Sequence, residues 1–146
     1  MGLVYARVEL VNDDDTLLAQ RGILPRAKVR KARVKALVDS GATLLAINER
    51  LRRRLGLRQR MVSEAELADG TKKALSVVGP VEIRFANRTT VSLASVLPGN
   101  QEPLLGAIPM EGLDVIVLPR KRKLVVNPAS PDRPSSKLKR HHRRPG

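Results

Sequence analysis

One acidic residue stands at the end of an apolar, strand-like segment, where its carboxyl group could do chemistry. Asp39 follows Ala36-Leu37-Val38 and precedes the small residues Ser40-Gly41-Ala42. Small side chains let the backbone N–H groups of Gly41 and Ala42 approach the carboxylate, and the apolar flanks partly desolvate it. A carboxylate in such a place can act as a general acid or base. Asp and Gly are also common turn residues, so the motif alone leaves both interpretations open.

Residues needed for other hydrolytic chemistries are missing from the sequence. It contains no cysteine, and its only histidines, His141 and His142, lie in a basic stretch near the C-terminus. Catalysis by a serine or cysteine paired with a core histidine is therefore excluded. No Gly-rich phosphate-binding motif occurs. We expect neither a cofactor nor a metal ion, which leaves carboxylate chemistry.

The remaining acidic residues are poorer candidates for catalysis. Asp13-Asp14-Asp15 follows Asn12, and this run predicts a solvated polar turn. Asp114 is expected inside a strand at 113–118, as an outward-facing or paired residue. Six glutamates fall at outward strand positions, at a helix start or in loops: Glu9, Glu49, Glu64, Glu66, Glu82 and Glu102.

The elements around Asp39 can be predicted from local patterns. Apolar and polar residues alternate over 4–11 and 28–38, which predicts two half-buried strands, and the second strand delivers Asp39. Asn48 is a favourable N-cap and Gly56 a favourable residue after a helix end, so 48–55 should be a two-turn helix. The turn signal at 68–71 predicts a hairpin within 65–78.

Further short strands are expected at 81–85, 89–97, 113–118 and 124–126, with Gly79-Pro80 as a break or bulge and a brief helix around 110–112. At 146 residues, the chain suffices for one compact domain. We predict an all-β fold, a small closed barrel with one short helix. The domain should span residues 1–128, and residues 129–146, rich in proline, serine and basic residues, should form a disordered tail.

Three elements, in order along the chain, resemble retropepsin-like aspartic proteases of the bacterial single-domain branch. Leu37-Val38-Asp39-Ser40-Gly41-Ala42 is similar to their active-site turn, and Ala68-Asp69-Gly70 to the flap-side hairpin. Leu104-Leu105-Gly106 resembles the ψ-shaped element that crosses behind the active-site loop. The resemblance covers residues 3–128. It implies a barrel of the retropepsin-like type, with half of an active site per protomer.

The resemblance also implies a role for each residue. Asp39 would be the catalytic carboxylate, Ser40 would bond across a dimer axis, and Gly41 would donate its N–H to the carboxylate. Ala42 and Thr43 would complete the turn, and the hairpin with Ala68, Asp69 and Gly70 would close over the substrate. Because the chain has a single Asp-Ser-Gly, a two-carboxylate mechanism requires a homodimer, whose substrate would be a polypeptide.

The net charge of +14 favours a different class of partner, nucleic acid. Six basic residues against one acidic residue fall in 128–146, and the sequence has one tyrosine, one phenylalanine and no tryptophan with which to stack bases. We therefore expect a weak, nonspecific polyanion contact through the tail. A peptide-binding dimerisation module that cuts poorly and a nucleic-acid-associated β-barrel are the alternative functions. Without cysteines, a signal peptide or a membrane span, the expected location is the cytoplasm.

Overall fold

The computed structural model describes residues 2–138. Most of the regular structure in this range is β: β1 (Tyr5–Asn12), β2 (Lys31–Val38), β3 (Leu45–Asn48), β4 (Gln59–Glu66), β5 (Lys72–Phe85), β6 (Arg88–Leu97), β7 (Leu104–Leu105), β8 (Val115–Leu118) and β9 (Lys123–Val126). The helices are α1 (Asp13–Gln20), α2 (Glu49–Leu55), α3 (Ala107–Leu113) and a single 3₁₀ turn (Arg26–Lys28). The expectation of one short helix is therefore wrong.

Six strands form a closed ring of hydrogen-bonded neighbours. Their order is β1-β2-β7-β3-β6-β5, and β5 returns to pair with β1 in antiparallel register. β4 pairs with β5 outside this ring, and β8 and β9 form a separate two-stranded sheet. The predicted β class is confirmed, with a ring of strands in place of a regular barrel. The ring matters for the candidate site because it sets β7 directly beside the end of β2.

The ring surrounds an aliphatic core. Alternate residues of its strands point inward, as the sequence pattern predicts, and the buried set includes Ala6, Val8, Leu10, Ala32, Ala36, Leu45, Ile47, Ile83 and Leu105. Burial of one such valine, leucine or isoleucine side chain contributes roughly 1.5–3 kcal/mol. The core thus fixes which face of β2 points inward, and with it the position of the loop that follows.

Residues 13–15 form the first turn of α1, so the prediction of a solvated polar turn at these residues is wrong. The side chain of Asn12 accepts a hydrogen bond from the backbone N–H of Asp15 at 3.0 Å, and acidic residues in the first turn favour a helix N-terminus. The buried carboxylate of Asp15 accepts bonds from Arg30 Nε at 2.8 Å and Nη2 at 3.0 Å. These bonds from Arg30 lower the pKa of Asp15. Asp15 therefore ties α1 to the segment before β2.

Helix α2 confirms the prediction made from its caps. Asn48 accepts a hydrogen bond from the backbone N–H of Leu51 at 2.8 Å, and Gly56 ends the helix with a φ of 62°. Leu51 and Leu55 are buried in the core. The side chain of Asn12 donates to the carbonyl oxygen of Leu55 at 2.9 Å, so the helix end is also satisfied by a side chain from β1.

The segment after β9 contacts the domain. Asn87 Nδ2 donates to the carbonyl oxygen of Pro131 at 2.9 Å, and the buried Arg88 donates to that of Ser130. These contacts continue past the predicted domain boundary at residue 128. The part of the predicted tail at 139–146, including His141 and His142, lies outside the described residues. Within 2–138, no helix is long and apolar enough to cross a membrane.

Candidate active site

Asp39 lies directly after β2, where the strand ends beside β7. Its backbone N–H donates to the carbonyl oxygen of Leu105 at 3.0 Å, which continues the parallel pairing of Val38 with Leu105. The Asp39 side chain is half-buried. The ring of strands thus fixes the backbone of this residue while its carboxylate remains accessible to a ligand.

The turn after Asp39 holds the carboxylate through the backbone. The N–H of Gly41 donates to Asp39 Oδ1 at 2.9 Å, which is the contact that the sequence predicted. The N–H of Ala42 instead donates to the carbonyl oxygen of Asp39, at 3.1 Å, so the predicted bond from Ala42 to the carboxylate is wrong. Ser40, Gly41 and Thr43 are exposed. One side of the loop is therefore free to meet another molecule.

The other side of the loop packs against the segment that follows β7. The N–H of Ala107 donates to the carbonyl oxygen of Ala42 at 2.8 Å, and the N–H of Ile108 donates to that of Thr43 at 2.9 Å. A Cβ atom at Gly106 would lie 2.2 Å from the carbonyl oxygen of Leu44, which is closer than any tolerable contact. Leu104-Leu105-Gly106 thus crosses directly behind the loop that carries Asp39, and glycine permits this approach.

The hairpin of β4 and β5 has the turn that the sequence predicted. Asp69 Oδ1 accepts hydrogen bonds from the hydroxyl of Thr71 at 2.6 Å and from its backbone N–H at 3.0 Å, which lowers the pKa of Asp69. Gly70 has a φ of 85°, a conformation that favours glycine. Ala68, Asp69 and Gly70 are all exposed. The turn is thus a solvent-facing tip with its own internal hydrogen bonds.

A small apolar cluster connects this hairpin to the elements around Asp39. It is separate from the main core and combines residues of β3, β5, β6 and β7 with two from the hairpin's first arm: Ala46, Leu75, Leu97, Leu104, Ala65 and Leu67. Sequence reasoning did not find this cluster, because its members come from five separate segments and share no local pattern. It gives the hairpin a fixed base close to the Leu104-Leu105-Gly106 crossing.

Asp114 is not part of this arrangement. It ends α3 with a φ of 53° and precedes β8, so its predicted position inside a strand at 113–118 is wrong. Asp114 instead anchors the C-terminal segment. Its carboxylate accepts bonds from the Ser130 hydroxyl, from Asn127 Nδ2 at 3.0 Å and from the Ser135 backbone N–H at 2.9 Å. These bonds, led by that of Ser130, lower the pKa of Asp114 to about 2. Asp114 therefore has a structural role, which its sequence context did not reveal.

This lowered pKa predicts a pH-dependent contribution of Asp114 to stability. A carboxylate whose folded pKa is about 2, against an ordinary 3.8, stabilises the fold fully above the ordinary value and loses that contribution as the pH falls through about 2. We expect Asp114→Asn to be less stable than wild type at neutral pH, with a difference that shrinks as the pH falls from about 4 to about 2. Urea unfolding across this range measures it.

Asp132→Asn is the matched control, because Asp132 is an exposed carboxylate in the same segment. Its stability at neutral pH should match that of wild type, because the exchange alters only an exposed side chain. A pH-independent difference for Asp114→Asn would contradict the assignment of the three hydrogen bonds to an ionised carboxylate.

The described residues contain no cluster of three or more histidine, cysteine or acidic side chains that could hold a metal ion.

Comparisons with solved structures give remote likenesses. A retropepsin-like aspartic protease from Rickettsia conorii is 14% identical, with a TM-score of 0.45, over 75% of this chain and 69% of that one. The retroviral protease-like domain of Ddi1 from Leishmania major is also 14% identical, with a TM-score of 0.48, over 87% of this chain and 91% of that one. No curated protein sequence matches the chain.

The family model for gag-polyprotein putative aspartyl proteases matches residues 26–110, more than half of the chain. The match includes Asp39 and its loop, the hairpin turn at Asp69-Gly70, and Leu104-Leu105-Gly106. These are the three elements on which the predicted resemblance depends, and the structure places the first and third in direct contact. The chain therefore belongs to the gag-polyprotein putative aspartyl protease family, and its predicted kinship with retropepsin-like aspartic proteases is confirmed.

Proposed function

We propose that the protein is an aspartic endopeptidase that works as a homodimer. The observation that carries this proposal is the position of Asp39: a half-buried carboxylate at a strand end, held by the Gly41 N–H at 2.9 Å and supported from behind by Gly106. Membership of an aspartyl protease family supports the same reaction. Peptide-bond hydrolysis by this route uses water and two carboxylates, and needs no cofactor.

The second carboxylate would come from the Asp39 of another copy. The sequence has a single Asp-Ser-Gly, and a dimer with two-fold symmetry brings identical loops together at its axis. The exposure of Ser40, Gly41 and Thr43 supports this arrangement, because these residues are free to contact the partner's loop. In it, the Ser40 hydroxyl would bond across the axis and stiffen the paired loops.

The paired carboxylates would share one proton, because two like charges at hydrogen-bond distance cannot both be ionised. The ionised member would take a proton from the attacking water, and the protonated member would donate its proton to the carbonyl oxygen of the peptide. The N–H of Gly41 would hold one carboxylate oxygen in place throughout. The products are a new carboxyl group and a new amine.

The hairpin of β4 and β5 would act as a flap. Its tip, formed by Ala68, Asp69 and Gly70, is exposed, and its base is anchored by the apolar cluster that includes Leu75 and Leu104. Such a hairpin can close over an extended polypeptide, exclude water and offer backbone hydrogen bonds. The substrate we propose is therefore an extended polypeptide. The cytoplasm remains the expected compartment, since the sequence has no cysteine.

Proteolysis of an unfolded protein across the acidic to neutral range tests this function. We expect cleavage that a pepstatin-type inhibitor blocks, because its hydroxyl group mimics the tetrahedral intermediate bound by two carboxylates. We also expect specific activity to fall on dilution, as the dimer dissociates. A purified dimer that cleaves nothing at any pH and ignores the inhibitor would instead favour a peptide-binding module. Activity independent of concentration, with a monomer in sedimentation, would contradict the shared site.

A further inference from the structure

Basic side chains collect on the outer face of three neighbouring strands. We define the basic face as Arg7 of β1, Lys31, Arg33 and Lys35 of β2, and Arg84 of β5. All five side chains are exposed, and they alternate along their strands with residues that point to the core. The pairing of β1 with both β2 and β5 makes this one continuous surface.

Within residues 2–138, three of these cations have no carboxylate within 4.0 Å: Arg7, Lys31 and Lys35. Glu9 contacts Arg33 at 3.5 Å and Arg84 at 3.1 Å, and Arg84 also reaches Glu82 at 3.0 Å. Of the three, Arg7 and Lys35 stand directly opposite each other across β1 and β2. Like charges in such a cross-strand pair are destabilising. The stability of the fold therefore does not explain why these two cations face each other. Binding of an anionic ligand between them would explain it.

The face also has a concave shape and a fixed side chain. Arg7, Glu9, Arg33, Lys35 and Arg84 line an open depression of about 500 Å³. The Nζ atom of Lys35 lies 4.6 Å from the centre of the Tyr5 ring, which holds the ammonium group in place. A depression with four cations and one carboxylate at its rim suits a ligand with several negative charges.

We propose that the basic face binds the phosphate backbone of a nucleic-acid duplex without sequence preference. Lys31, Arg33 and Lys35 occupy every second position of β2, so they form a row spaced by roughly 6.6–6.8 Å that can follow a chain of phosphates. Their side chains carry charge but lie beside a single aromatic ring, that of Tyr5, which Lys35 already covers. Single-strand binders stack bases on several aromatic rings. The face therefore suits a duplex, whose bases are already stacked.

A membrane surface fits this face less well. Exposed large apolar side chains are what insert into the headgroup region, and those of residues 2–138 lie outside β1, β2 and β5. The proposed site is also distinct from the basic tail beyond residue 128, because it is built on strands of the ring. It is independent of the protease function.

Fluorescence anisotropy with a labelled short DNA duplex tests this site in the full-length protein. We expect Lys31→Gln/Arg33→Gln/Lys35→Gln to weaken binding by about tenfold or more. For this variant, the slope of log affinity against log salt concentration should be less negative by about 1 for each phosphate contact that is lost. The control is Arg50→Gln/Arg54→Gln/Arg58→Gln, which removes the same charge from exposed positions in and after α2. It should bind within about twofold of wild type. Thermal unfolding verifies that both variants fold.

Four outcomes would overturn the proposal. Equal losses in the two variants would mean that only the total charge matters, and no loss in the β2 variant would place the contact elsewhere, such as the tail. Absence of duplex binding by the wild-type protein would refute the site directly. Equally tight binding of polyglutamate or of anionic vesicles, with the same dependence on the β2 cations, would assign the face to another class of partner.

Discussion

Replacing Asp39 with asparagine should reduce peptide cleavage by about 10²–10⁴-fold or more, because it removes both groups that transfer protons. Asparagine is nearly the same size, and its side-chain oxygen can still accept the Gly41 N–H bond that Asp39 accepts at 2.9 Å. The loop and the dimer should therefore persist. Initial rates of cleavage of an unfolded protein measure the loss, and sedimentation measures the dimer.

Mixed dimers give this variant its sharpest test. When equal amounts of wild-type and Asp39→Asn chains are co-refolded, about one quarter of random dimers contain two wild-type chains. If each site needs both Asp39 residues, activity should fall to about one quarter of that of the wild-type protein alone at the same total concentration. A fall to only half would mean that each protomer acts by itself, which would contradict the shared dyad. Ser40→Ala serves as a loop control that keeps the carboxylate and should lower activity far less.

Local chemistry explains which parts of the fold could be predicted. Helix α2 was predicted from its caps, Asn48 and Gly56, and β1 and β2 from their alternating apolar residues. Each of these signals depends only on residues close together in sequence. Helix α1 was missed although Asn12 is a good N-cap. Leu17 and Leu18 are exposed, so this helix has no continuous apolar stripe that faces the core. Without the sequence pattern of such a stripe, the run of aspartates predicted a loop.

Contacts distant in sequence explain what could not be predicted. β1 and β5 pair to close the ring, and Ser130 and Ser135 contact Asp114. In both cases the segments that meet are far apart in sequence, and the composition of one does not predict its contact with the other. The Pro- and Ser-rich composition after residue 128 suggested disorder, since it offers no apolar pattern. At the candidate site, the bond from Gly41 to Asp39 is local and was predicted from the residues. The crossing at Gly106 was reachable only through resemblance to a family.

Replacing Gly106 with alanine should damage both stability and catalysis, because the added methyl group meets backbone. A Cβ atom there would lie 2.2 Å from the carbonyl oxygen of Leu44, 2.7 Å from that of Ala42 and 2.9 Å from the carbonyl carbon of Thr43. Backbone atoms cannot rotate away as a flexible side chain can. Overpacking of this kind costs about 1–3 kcal/mol or more. We expect a loss of this size in urea unfolding.

The activity of Gly106→Ala should fall further than its unfolded fraction explains, since the displaced residues 42–44 belong to the loop that positions Asp39. Measuring cleavage under conditions where the variant is fully folded separates the two effects. Gly2→Ala is the matched control: the atoms nearest to its Cβ would belong to the flexible side chain of Arg122, which can move, so stability and activity should remain near wild type. If Gly106→Ala cleaved at the wild-type rate when folded, the crossing would support the fold without positioning the carboxylate. A full loss of activity in a stable, folded variant would instead mean that the main function of the Gly106 crossing is to hold the Asp39 loop in its reactive geometry.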